Sequence, residues 1–149
     1  MDRKRQSKIV KALHTLIRLH RFRVEEKQRE IGGMIANIND IERQVRELEK
    51  QFSEEKVIAQ AAPENAGILF GNFVAHCILK QKQFAVAILE IEEKLAIARE
   101  EIREEYKDLK GFELTQETRD RWEALEQAKV EQAVLDEIGI EAYRRARTQ

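Results

Sequence analysis

The chain has 149 residues, enough for one domain by the usual size prior. Charged residues make up 37%, hydrophobics 42% and aromatics 6%, the profile of long helices or coiled coil, because few bulky side chains remain for a thick central core. A net charge of −1 excludes the chain as a whole from the polyanion binders.

The opening "MDRKRQSKIVKALH" is basic but has neither the apolar run nor the small-residue cleavage site of a secretory signal. Apolar residues then recur every seventh position. Val10, Ile17, Val24, Ile31, Ile38, Val45 and Phe52 form one series, and Leu13, His20, Lys27, Met34, Ile41 and Leu48 the other. A 3.5-residue period held for about six heptads predicts a coiled-coil helix over about 6–60. Gly32 and Gly33 interrupt it in one of two ways. Either they permit a close helix approach opposite Ala96 and Ala98, or they form a local flexible point.

The only proline follows, in "AAPENAG". Pro63 lacks a backbone donor and disfavours helix at Ala62, and Asn65 and Gly67 suit turns. A reversal over about 61–67 is expected. The heptads then restart as Val74, Gln81, Ile88, Leu95, Ile102 and Leu109, with Phe70, Cys77, Phe84, Ile91, Ala98, Glu105 and Phe112. This predicts a second, longer helix over about 68–146. Either Gly111 as a C-cap and Thr115 as an N-cap break it near 111–115, or the helix runs on with Gly111 as a weak point. The single Cys77 excludes an internal disulfide and suits a reducing compartment.

Charge decides whether the arms pair with each other. Residues 4–30 carry nine Lys/Arg against three Asp/Glu, and residues 100–126 ten acids against five bases. An antiparallel fold-back sets these blocks side by side; a parallel homodimer would lay each on its own copy. The fold class read from the sequence is therefore all-α, a single antiparallel two-helix coiled-coil hairpin with the second helix longer. At ~1.5 Å per residue the second arm outruns the first by roughly 25 residues. Trp122, Leu125, Ala128, Leu135 and Ile138 form an apolar stripe there, which calls for another protein or a fold-back of the terminus.

No motif carries chemistry. There is no phosphate-binding glycine loop, GxSxG, HExxH or paired CxxC. His76 and Cys77 diverge on a helix, as do His14 and His20, so neither pair suits a metal. A slender hairpin has no deep cavity to desolvate a catalytic acid. The reading is a non-enzyme without cofactor or metal, soluble and cytoplasmic, since no stretch approaches the ~18 apolar residues of a membrane span. The basic start resembles a leucine-zipper basic region, which needs a parallel dimer that the charge blocks oppose. No nucleic-acid partner and no membrane insertion are expected.

Two stretches carry a more specific likeness. "REEIREEYKDLKGFE" (99–113) contains Tyr106, Lys107, Lys110 and Glu113, and "EQAVLDEIGIEAYRRAR" (131–147) contains Leu135, Asp136, Glu137, Arg144 and Arg145. With a basic start, a Pro/Gly turn and a longer second arm, they resemble the flagellar FliJ family, the soluble stalk component of the flagellar type III export ATPase complex. Gly111 and Gly139 depart from the family's motifs. The resemblance implies an antiparallel hairpin whose terminal end enters the pore of a hexameric export ATPase, with the nine motif residues as ring contacts. It also implies contact with the export-gate membrane protein and export chaperones, and a position peripheral to the flagellar basal body at the inner membrane. Near the turn, Leu69, Phe70 and Phe73 are the candidate gate contacts. Such a stalk is expected to be a monomer in isolation, whereas a generic coiled-coil scaffold would form stable dimers or bundles. The equivalent stalk of a virulence secretion system would share the same physical pattern.

Overall fold

A computed structural model describes residues 2–148, leaving aside the side chains of residues 63, 65 and 66. Two helices, α1 (Asp2–Ala61) and α2 (Pro63–Arg147), make up the fold. They pack against each other, and α2 is the longer. Only Ala62 between them is outside a helix, and its amide still donates to the Ile58 carbonyl at 3.3 Å. The expected seven-residue turn is thus a single residue, with 63–67 inside α2. A proline is tolerated at the first position of a helix, where its missing donor has no partner to lose. Gly67 is helical, and no described residue has a positive φ, so the reversal needs no left-handed glycine. The turn roles expected of the Pro63 and Asn65 side chains lie outside the described residues.

Of the two readings at 111–115, the break is absent: α2 runs through it. Thr115 does not cap a new helix; its hydroxyl donates to the Gly111 carbonyl at 2.9 Å, within the helix. Leu109 is buried and Phe112 half-buried just before it, so packing holds the backbone helical where propensity alone would let it fray. Gly139 likewise lies inside α2.

The chain groups into two compact units: Arg23–Glu105, and Met1–Phe22 with Tyr106–Gln149. In Arg23–Glu105 the helices run antiparallel. Phe52 and Phe70 meet with ring centroids 6.1 Å apart, Lys27 pairs with Glu101, and Arg23 lies 3.9 Å from Glu105. Val24, Leu48, Cys77, Leu95 and Ala98 are buried between them. Each cross-helix ion pair takes its base from α1 and its acid from α2, the complementarity of the two charge blocks. Gly32 and Gly33 have open space where a Cβ would stand, so no close approach requires them.

In the other unit the helices are also antiparallel. Leu13, Ile17 and Leu109 are buried with His20, whose ring lies 5.1 Å from that of Phe112 at 36°. Arg21 Nη2 donates to Glu113 Oε1 at 3.2 Å, and Gln116 Nε2 sits 3.2 Å from the ring nitrogens of His14.

Candidate functional site

The residues that the sequence marks for contacts fall in both units. In the unit of Met1–Phe22 and Tyr106–Gln149, Lys107 and Lys110 are exposed, Tyr106 is 41% exposed and Glu113 is half-buried. Glu113 is the most engaged of them, accepting from Arg21 and, at 3.4 Å, from Lys110 Nζ. It ties α2 to α1, whereas the two lysines keep their ammonium groups at the surface.

Beyond residue 119 the environment changes. Every described residue from 120 to 148 is exposed, and the terminal part of α2 does not fold back. Trp122 (63%), Leu125 (57%), Leu135 (61%) and Ile138 (58%) are uncovered, as are Val130, Val134, Ile140 and Tyr143. Such a density of exposed large side chains on one solvated helix marks a surface meant to be covered. Its polar groups are set by the helix itself. Asp136 accepts from Gln132 at 3.0 Å and Arg145 donates to Glu141 at 3.1 Å, while Glu137 and Arg144 line an open groove with Ile140. Leu135, Asp136, Glu137, Arg144 and Arg145 therefore share one exposed segment, with acids ahead of bases.

One feature escaped the sequence reading. Ile9 and Val10 of α1 line a shallow groove with Trp122, edged by Gln6, Arg119, Glu123 and Glu126. Ile9 lies outside both heptad series, and only the pairing of α1 with α2 brings it beside Trp122.

In the Arg23–Glu105 unit, the three candidates near the turn are not equivalent. Leu69 is 73% exposed, but Phe70 and Phe73 are half-buried, Phe70 against Phe52. Ile68, at 83%, is the exposed neighbour of Leu69. The uncovered apolar pair at the start of α2 is thus Ile68–Leu69, and the phenylalanines serve the seam.

The charged cluster on the hairpin seam has a structural role. Lys27 occupies a heptad core position and pairs with Glu101 and with Glu30, the latter at 3.2 Å. Hydrogen bonding to Glu101 first, and to Glu30 next, raises its pKa above the ordinary lysine value. Among the described residues no cluster of His, Cys, Asp or Glu could hold a metal ion, and no helix is long and apolar enough to cross a membrane.

A family model described as flagellar FliJ protein matches residues 9–148 of the chain. No curated protein and no solved structure matches it.

Proposed function

The chain belongs to the flagellar FliJ family, and on that premise we propose that it is the stalk and escort component of the flagellar type III export ATPase. The family consists of non-catalytic components of the flagellar type III export apparatus. The terminal part of α2 enters the pore of the hexameric ring, where Leu135, Asp136, Glu137, Arg144 and Arg145 make the contacts, with Tyr106, Lys107, Lys110 and Glu113 at the pore rim. The observation that carries this reading is the segment 120–147, helical yet exposed throughout. A preformed helix with apolar and charged groups of both signs loses little conformational entropy on docking. Binding inside a six-subunit ring would favour assembly of the ring.

Ile68 and Leu69, with Phe70 and Phe73 behind them, are the proposed contact for the export-gate membrane protein, and the chain works at the cytoplasmic face of the basal body. Export chaperones are proposed as further partners.

The test is ATP hydrolysis by the cognate export ATPase with and without the purified chain. The chain should raise hydrolysis at substoichiometric ratios to ATPase subunits, and Leu135→Glu with Asp136→Lys should reduce that stimulation at least about fivefold, the effect of losing roughly 1 kcal/mol of contact. Unchanged ATPase activity on adding wild-type chain would remove this reading.

A further inference from the structure

In the Arg23–Glu105 unit, α2 carries two heptad series. One, with Val74, Cys77, Phe84, Ile88, Ile91, Leu95 and Ala98, is buried or half-buried on α1. The other runs Leu79, Lys82, Val86, Leu89, Glu93, Ala96, and every member is exposed. At ~100° per residue it lies roughly 150° around the helix from the first. Leu79, Val86 and Leu89 are 55–57% exposed, with Ile78 (49%) and Ile97 (61%) beside them. The outward face of α1 differs: between residues 25 and 55, Ile35 is the one exposed large hydrophobic among the described residues.

The order of the second series is informative. Read against itself in the opposite direction, it is complementary in every layer. Leu79 faces Ala96, Lys82 faces Glu93 and Val86 faces Leu89, and the same three layers repeat across a two-fold axis between Ala87 and Ile88. The two charged members meet each other. In a parallel pair of copies, Lys82 would meet Lys82 and Glu93 would meet Glu93.

We propose that this stripe is a self-association surface, on which a second copy of the chain docks antiparallel through α2. The interface is isologous, as a two-fold dimer requires, and its Lys–Glu layers select register and direction in the way buried polar positions do in coiled coils. Isolated helices this short are marginal in water, but α1 already holds α2 helical, so docking adds no helix-forming penalty. The stripe spans roughly 26 Å, which makes the association weak and reversible. It limits the single-copy state expected of a stalk to dilute conditions and hides the stripe when partners are absent. None of its residues is among those assigned to the ATPase ring, and the readout is mass rather than activity.

Sedimentation of the full chain over a concentration series tests it, with circular dichroism confirming equal helix content in every variant. Wild type should shift from monomer to dimer mass as concentration rises. Lys82→Glu or Glu93→Lys alone places like charges in two layers and should weaken association about tenfold. The combined Lys82→Glu, Glu93→Lys chain restores both layers and should return to within about threefold of wild type. A wild type that stays monomeric at every concentration overturns the proposal, as does a charge-swapped pair no stronger than its single variants.

Discussion

Gly32 and Gly33 sit inside α1, and a methyl group added at either position would meet nothing within 4 Å. A glycine costs a helix interior roughly 1 kcal/mol relative to alanine, and here no contact requires that loss. Of the two readings open from sequence, the close helix approach is not what these glycines serve. Gly32→Ala and Gly33→Ala should each raise stability by about 0.5–1 kcal/mol in urea unfolding, without altering the hairpin. Lys27 gives a second residue-scale expectation. Its pKa is raised in the folded chain from 10.5, so its contribution is complete below the unfolded value and lost as pH rises through the folded one. Thermal unfolding of wild type and Lys27→Ala should therefore differ by a constant amount near neutrality and converge only in strong alkali.

At the scale of the element, the two parts of α2 are both helical for different reasons. Up to residue 119 the helix is held by the seam on α1; from 120 to 148 it stands exposed. Amides of 120–148 should exchange with solvent much faster than those of 74–116 by mass spectrometry, and slow when the export ATPase is added. The seam itself was legible in the sequence. Leu13, Ile17, Val24, Leu48, Cys77, Leu95, Ala98 and Leu109, all buried, are members of the heptad series, as is the buried His20. Direction was legible too, because Arg21–Glu113, Arg23–Glu105 and Lys27–Glu101 realise the opposed charge blocks. Gln81, a member of its series, is exposed while Lys80 and Phe73 are half-buried, since the period wanders slightly next to the reversal. The helix through Gly111 was legible only as one of two readings: local propensity reports what a glycine prefers alone, and neighbouring packing at Leu109 and Phe112 overrides it. Of the candidate site, the exposed 135–145 segment could be read from its pattern. The division of labour between Leu69 and the two phenylalanines could not, because it depends on the rotation of α2 against Phe52.

For the whole molecule, the proposed function makes the exposed end of α2 separable from the fold. Removing residues 127–149 takes away only exposed residues among those described. The truncated chain should keep its cooperative unfolding transition while losing stimulation of the ATPase and restoration of swimming in a strain lacking the protein. Conversely, Ile17→Ala, in the seam at 3% exposure, should cost about 2–4 kcal/mol and reduce activity only by lowering the folded fraction.

No large side chain among the described residues falls below 2% exposure, so each layer of the seam touches water at its edges. Little apolar surface is then newly wetted on unfolding for each residue released. The heat-capacity increment should lie below the usual ~12–15 cal/mol/K per residue, a quantity calorimetry reads directly. A small increment lowers the curvature of the stability profile and moves its maximum to lower temperature. The hairpin would then keep gaining stability as the cell cools, far from cold denaturation.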